Sequence, residues 1–392
     1  MTSAHSKYIF RPLRLTANAL VLTINIVAAL LLIVSAYGGI VNPDRTVIPA
    51  IIAMLFPYLL AGCMALLVVD TFVFRKTTLV MVAALVITTP AILNLAPINL
   101  PSGKLSDEEK ERSFTLLTYN VLHFWDCRGE EHQDSVNATI DYILKADADI
   151  VNLQEVEFVK AWPLWHVTPE QIKELGEKYP YRLIDVANQL TLLSKYPFEE
   201  VKLTGADTYL LSHFALFKMN IEGRRLYMFN VHLKSIGLTP EDKELYTSLT
   251  KERPSNTAEL KSEVKKVKNQ LLSKLGNAFR MRAAQARFIR RTIESLGPSA
   301  NVIVAGDFND IPGCYAIRTI KDSDMHDAYR RNALGPCITY HLNRFYFRID
   351  HVLYRGDFEA VDIHREPVPS SDHYPLLTTF VWDNPPATDK KD

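Results

Sequence analysis

Two patterns of hydrophobic and polar positions divide the chain. Through the first hundred residues, apolar positions run almost unbroken in three stretches, Leu15–Val41, Val47–Val69 and Thr77–Ala96. Each has about the 20 residues a bilayer-crossing helix needs. Asp70 falls at the end of the second stretch beside Arg75 and Lys76, where an interface would solvate it. Pro57 and Pro90 are tolerable there, since neighbouring helices satisfy the backbone groups they free. From Ser113 the pattern changes to apolar runs of four to eight residues between polar turns. These predict strands at 115–121, 149–155, 190–194, 213–219, 226–232, 301–306, 348–354 and 376–382. Helices are expected at about 135–145 and at 168–178, the second opening on Thr168-Pro169-Glu170 with a capping residue and a proline at its first position.

Between 238 and 297 the chain is charged and helical in character. Thr239-Pro240-Glu241-Asp242 opens one helix and Arg253-Pro254-Ser255 breaks it. A stretch rich in Lys, Glu, Gln and Ala then runs to Gly297-Pro298. Met281, Ala284, Phe288, Ile289 and Ile293 form a helical apolar stripe expected to pack on a sheet. The more polar part, with Lys261, Lys265, Lys266 and Lys268, reads as a charged insertion over 238–280 with a solvated face. The organisation expected is a membrane domain over 1–96 with three transmembrane helices, a polar linker over 97–112, a catalytic domain over 113–383, and a disordered tail over 384–392.

Charge adds the orientation. Lys7, Arg11 and Arg14 precede the first span, Arg75 and Lys76 separate the second and third, and only Arg45, beside Asp44, separates the first and second. Basic flanks stay cytoplasmic, so the N-terminus is expected inside and everything after about Pro97 outside an inner (cytoplasmic) membrane. The net charge of zero hides an asymmetry: residues 1–100 hold 6 basic and 2 acidic residues, and the rest hold 38 and 42. That slightly acidic remainder argues against tight nucleic-acid binding by counterion release. Cys63, Cys127, Cys314 and Cys337 have no metal-like spacing.

Six of the strand-like runs carry a polar cluster at an end, and these clusters hold the chemistry. Glu155, after Ile-Val-Asn-Leu-Gln, is a carboxylate whose burial is costly without a compensating charge. A hard divalent cation such as Mg²⁺, which takes oxygen ligands, is its natural partner. Asn120, ending the strand before it, offers a neutral oxygen to the same ion or its water. Asp307-Phe308-Asn309 places an anionic oxygen and an amide two residues apart on one side of an extended segment, after a glycine that permits close backbone approach. His373, paired with a carboxylate from Asp350, has the make-up of a general base, with Asp372 toward the metal. His232, in Asn-Val-His-Leu, is placed to donate to a phosphate oxygen, and His351 is expected to point to the opposite face from Asp350. No Gly-x-Ser-x-Gly elbow, P-loop, dinucleotide fingerprint or His-Glu-x-x-His pair occurs. With no evident nucleophile, direct attack of water at phosphorus is the economical chemistry.

Seven motifs in order, Thr-Tyr-Asn-Val, Leu-Gln-Glu-Val, Leu-Ser-Lys-Tyr-Pro at 193–197, Asn-Val-His-Leu, Gly-Asp-Phe-Asn-Asp, Ile-Asp-His-Val and Ser-Asp-His-Tyr-Pro, resemble the endonuclease/exonuclease/phosphatase (DNase I-like) superfamily, in a membrane-tethered bacterial form. The resemblance runs from about Ser113 to Trp382 and implies a four-layer α/β-sandwich of two mixed sheets flanked by helices. It also implies Mg²⁺, with Mn²⁺ as substitute, and a hydrolase of phosphodiesters or phosphomonoesters. By matching motif, Glu155 is the principal metal ligand, helped by Asn120 and Asp372. Asp307 and Asn309 position water and phosphate, His373 is the base held by Asp350, and His232 stabilises the transition state. The family's glycine before Leu-Ser-Lys-Tyr-Pro is replaced by the lead-in Asn188-Gln189-Leu190-Thr191, and a phosphate-facing tyrosine of some of its nucleases has no evident counterpart. The partners expected are the lipid bilayer and a phosphoester, whether nucleic acid, phospholipid or small ester. A nuclease acting outside the cytoplasm and a non-catalytic membrane binding module are the alternatives.

Overall fold

A computed structural model of the chain describes residues 2–73, 77–100, 103–125, 127, 136–156, 167–185, 187–237, 257–342 and 346–384, with backbone alone for 2–14 and 257–269. It divides into two compact units. Met1–Leu95 with Gly313–Tyr315 form one, and Ala96–Pro312 with Ala316–Asp392 form the other.

The first unit is helical: α1 (Thr2–Tyr37), α2 (Ile48–Met54), α3 (Phe56–Phe72) and α4 (Thr78–Leu95). Its helices meet over Ala29, Leu32, Ala36, Phe56, Cys63, Met81 and Ala84. Small residues there let the backbones approach closely, while large apolar side chains such as Leu79 and Val86 remain exposed. Two helices, Leu15–Ile40 and Thr78–Leu95, are long and apolar enough to cross a membrane. The second apolar stretch, expected as one span, is formed of two helices, α2 and α3, bent by 59°, a broken span or a re-entrant loop. Pro57 stands in the first turn of α3, where its missing N–H and its ring prevent continuation of α2. Pro90, by contrast, sits inside α4 without ending it. Asp70 also differs from expectation: it is buried and accepts a hydrogen bond from Asn25 Nδ2.

The second unit holds two six-stranded sheets. One has the order β11-β12-β1-β2-β4-β3, from β1 (Ser113–Asn120), β2 (Ile150–Gln154), β3 (Tyr181–Asp185), β4 (Leu190–Ser194), β11 (Phe358–Arg365) and β12 (Leu376–Trp382). The other has the order β5-β6-β7-β8-β10-β9, from β5 (Phe198–Glu200), β6 (Phe214–Ile221), β7 (Arg224–His232), β8 (Val302–Asp307), β9 (His326–Asp327) and β10 (Asp350–Arg355). Both are mixed, since β1–β2 and β7–β8 pair in parallel while β12–β1 and β8–β10 pair antiparallel. Alternation sorts the side chains into layers. Phe114 and Leu116 join Phe217, Met228, Ile303 and Val352 in the core between the sheets. Leu117 and Tyr119 face outward against Ile140 and Ile143 of α6 (Ala138–Ala146). The far side of the second sheet is covered by Ala286, Ile289 and Ile293 of the long helix α9 (Thr257–Ser295) and by Ile317 and Ile320 of α10 (Tyr315–Lys321). Helix α7 (Pro169–Lys178) opens on a capping box between Thr168 and Gln171.

Two segments outside the sheets have structure of their own. The part of the charged insertion from Thr257 to 280 belongs to α9, one helix of 39 residues that buries side chains from Leu275 on. The opening helix expected near Thr239 lies outside the described residues, as does the tail over 385–392. The polar linker is bonded to the second unit. Pro97 O accepts from Gly335 N at 2.8 Å, Asn99 Nδ2 donates to the carbonyls of Arg330 and Ala333, and α5 (Asp107–Glu111) is closed by a Ser106–Glu109 capping box. α8 (Thr208–Leu211) and α11 (Ala328–Asn332) complete the unit.

Candidate active site

The polar clusters converge on one edge of the two sheets. Asn120 ends β1, Glu155 follows β2, His232 ends β7 and Asp307 ends β8. Asp350 and the Asp372-His373 pair instead stand at or before the start of β10 and β12. They reach the same edge because those strands run antiparallel to β8 and β1. Register completes the alignment: Asp307 lies opposite His232 on one side and Asp350 on the other. Gly306 makes this possible. Its φ is +141°, and a Cβ there would stand 2.0 Å from the Val231 carbonyl oxygen.

Asp350 and His373 form a buried pair, with Nδ1 of the imidazole 2.8 Å from Asp350 Oδ2. In this bond Nδ1–H donates to the Asp350 carboxylate, which leaves Nε2 to face Asp307 Oδ2 at 3.7 Å. Burial acts to lower the pKa of His373, but the carboxylates of Asp350, Asp307 and Asp372 outweigh it and push it well above the ordinary histidine value. Asp307 is pushed up, chiefly by burial, with the nearby charge of Asp350 adding to it. Its Oδ1 accepts from the Asn309 backbone N–H at 2.7 Å, and its Oδ2 from the amides of Asn309 and Asn120, each at 3.2 Å. Asn309 itself adopts φ +51° and is tied to the Leu233 carbonyl.

Glu155 has φ +54°, an uncommon conformation for a residue with a Cβ. Its Oε1 accepts from Asn120 Nδ2 at 3.1 Å and lies 3.5 Å from His232 Nε2. Burial opposes its ionisation, yet His232 and the Asn120 hydrogen bond prevail and hold its pKa below the usual range. His232 Nε2 is also 3.8 Å from Asp307 Oδ2. Asn120 Oδ1 accepts from the Leu122 N–H at 3.2 Å, while its amide nitrogen donates between the two carboxylates. Asp372 is buried next to His373, and its carbonyl accepts from His341 N.

Several residues at the site had escaped the sequence reading. His123, at φ +55° between two other left-handed residues, brings Nε2 to 3.8 Å from Glu155 Oε2. Thr339 Oγ1 accepts from the N–H groups of Ile349 and Asp350, and the Tyr340 ring packs on His373 at 5.1 Å. Between the sheets, Gln154 donates to Asn230 Oδ1 at 2.8 Å and Asn152 to the Ala305 carbonyl. His351 lies away from the site, as expected. Burial and Arg348 push it down to about 4, so it is neutral, donating from Nε2 to the Asp310 carbonyl and accepting at Nδ1 from Arg348.

The sequence matches the endonuclease/exonuclease/phosphatase family over residues 117–373. The chain belongs to that family. Residues 18–95 match a domain of unknown function, DUF8431. Among solved structures, the chain is similar to a humanized D. rerio TDP2 carrying 14 mutations, at 15% identity over 69% of this chain and 99% of that one, with a TM-score of 0.43. An endonuclease/exonuclease/phosphatase from Bacteroides vulgatus is 18% identical over 69% of this chain and 99% of that one, TM-score 0.42. The human Nocturnin catalytic domain with bound sulfate is 18% identical over 69% of this chain and 95% of that one, TM-score 0.43. No curated protein matches the sequence. Members of the family are metal-dependent phosphoesterases and nucleases. The residues present fit a divalent cation: Asp307, Asp350 and His373 bring ligand atoms within 4.8 Å of one another, and Glu155 shares the Asn120 amide with Asp307. Two carboxylates and an imidazole this close, with the Glu155 carboxylate joined to Asp307 through Asn120, suit a divalent cation.

Proposed function

We propose that the protein is a membrane-anchored, divalent-cation-dependent phosphoester hydrolase in which water attacks phosphorus directly. The observation that carries this reading is the buried Asp350–His373 pair, whose Nε2 faces the same carboxylate that Asn120 links to Glu155. His373 Nε2 holds and moves the proton of the attacking water, while Asp350 fixes the ring and balances the imidazolium. Asn309, anchored to Leu233, orients its backbone and amide around Asp307, and His232 donates to a non-bridging phosphate oxygen. Glu155 is the first carboxylate we assign to Mg²⁺, with Asp307 and Asp372 the neighbouring acids; Mn²⁺ fits the same oxygens. Bound there, the ion supplies charge for the phosphoryl oxygens.

The orientation in the proposal depends on the bent pair α2–α3 crossing the membrane as one broken span. If it only dipped in and returned, Arg75 and Lys76 would lie on the side opposite Lys7, Arg11 and Arg14, against the tendency of basic flanks to share the cytoplasm. Three crossings keep all five inside and put the catalytic unit outside the inner membrane. The decisive experiment is a hydrolysis screen of the full chain in detergent, with Mg²⁺ and with EDTA, against DNA, RNA, phospholipid headgroups, inositol phosphates and bis-aryl phosphodiesters. EDTA-sensitive turnover of at least one class is expected. EDTA-insensitive turnover, or none on any class, would remove the reading. A reporter fused after Trp382 should be active only outside the cytoplasm.

A further inference from the structure

The catalytic unit carries a compact apolar surface where the chain enters it. Ile98 and Leu334 face each other in an isolated antiparallel bridge, and they are 78% and 62% exposed. Leu100, two residues after Ile98, is 89% exposed, and Ile338, four residues after Leu334, is 37% exposed. The segment is held there by construction. Pro97 accepts from Gly335, and Asn99 donates twice to the end of α11 and the residue after it. Four large aliphatic side chains left in water on a bonded, well-defined surface mark an interaction site.

Chain connectivity says what covers them. Pro97 follows the last residue of α4, Leu95, by two positions, so it lies within about 7 Å of that residue. Chain length alone therefore keeps this segment within reach of the bilayer interface where α4 spans it. We propose that Ile98, Leu100, Leu334 and Ile338 form a docking surface that inserts among lipid headgroups and the first methylenes of the acyl chains. This rests on the reading of α4 as a membrane span.

Docking bears on the active site because the same loop serves both. From Leu334 to Thr339 is five residues, at most about 18 Å. Thr339 Oγ1 accepts from the Asp350 N–H at 3.1 Å, the Thr339 carbonyl accepts from Tyr374 N, and Tyr340 packs on His373. Lipid insertion at Leu334 therefore fixes one end of the loop whose other end supports the Asp350–His373 pair. The site is held within a short reach of the bilayer, where it meets phosphoesters presented by that surface.

The test uses the full chain in phosphatidylcholine–phosphatidylglycerol vesicles. In a Cys127→Ser background the remaining cysteines are buried, so single cysteines can carry an environment-sensitive fluorophore. Leu100→Cys and Leu334→Cys report the surface, Val86→Cys reports α4, and Lys173→Cys on exposed α7 is the water control. Probes at 100 and 334 should shift to the blue and lose most of their emission to a nitroxide near the headgroup end of the lipid chains. They should lose less to one near the chain terminus, whereas 86 should show the reverse order and 173 neither loss. If 100 and 334 behave like 173 while 86 is quenched, the docking surface is wrong and the span stands. If 86 also escapes quenching, the span reading falls and the inference with it.

Discussion

Asn120 on the first sheet donates to Asp307 on the second, at 3.2 Å, from the same amide nitrogen that serves Glu155 at 3.1 Å. One neutral side chain thus spaces two carboxylates and joins the sheets at their reactive edge. Replacing Asn120 by Ala removes that donor without adding charge. The concentration of Mg²⁺ needed for half-maximal turnover of a bis-aryl phosphodiester should rise about 10- to 100-fold, the usual cost of losing a group that orients metal ligands. Asn120→Asp, which adds a third carboxylate, should lower maximal turnover further. An unchanged Mg²⁺ dependence in Asn120→Ala would mean that Glu155 and Asp307 hold their places without it.

The Asp350–His373 bond makes a second prediction. His373→Ala should reduce turnover about 10²- to 10⁴-fold, as loss of a proton-transferring group does. Asp350→Asn preserves shape but takes away the charge that favours the imidazolium, so the histidine limb of the pH–rate profile should move to lower pH while the fold persists. The sign follows from the cause: the Asp350 carboxylate raises the His373 pKa, and its neutralisation lowers it. Near-normal turnover in His373→Ala would exclude this histidine as the base.

What the sequence could and could not disclose has a physical pattern. The eight strands read from apolar runs are β1, β2, β4, β6, β7, β8, β10 and β12, all interior to their sheets. The four that went unread, β3, β5, β9 and β11, are the four sheet edges. Interior strands are covered on both faces and read as continuous apolar runs. An edge such as Tyr181–Asp185, mostly exposed, or His326–Asp327, two residues long, leaves no such trace. The acidic and histidine groups were legible because a polar residue at the end of a buried run is costly and therefore conspicuous. His123 was not, since nothing in Leu122-His123-Phe124 signals three successive left-handed residues.

Away from the site, Asp324 ties α9 to β10. Its carboxylate accepts from Arg290 Nη1 at 2.5 Å and from Arg355 Nη1. Burial opposes ionisation of Asp324, but the two guanidinium groups outweigh it and hold its pKa below the ordinary value. A depressed carboxylate pKa contributes stability that is present above the unfolded-state value of about 4 and is lost as pH falls through the folded-state value. Asp324→Asn should therefore cost about 2 kcal/mol at pH 7, with two arginines left short of a partner. The difference in melting temperature from the parent should narrow near pH 4 and close below it. A gap independent of pH would assign the loss to packing.

Arg282 gives the last prediction, and its burial is what the basic character of its helix concealed. It is 1% exposed, stacks on Phe279 at 4.6 Å, donates from Nη1 to the Lys234 carbonyl at 2.9 Å and brings Nε to 3.4 Å from Asp310. One turn on, Gln285 accepts from the Lys234 N–H at 3.1 Å. Lys234 follows the strand that ends in His232, and Asp310 follows Asn309, so α9 grips both loops from behind. Arg282→Met keeps the stem and drops the charge and the donors. Leaving Asp310 and the Lys234 carbonyl without this partner should cost about 3 kcal/mol in thermal or denaturant unfolding. Turnover measured well below the new melting temperature should also fall, with KM rising more than kcat drops, because the two loops we assign to the phosphate lose their common support. Arg282→Lys, which restores charge but not the fork that reaches both loops, should recover stability more than KM. If it recovers both equally, Arg282 acts only by neutralising Asp310.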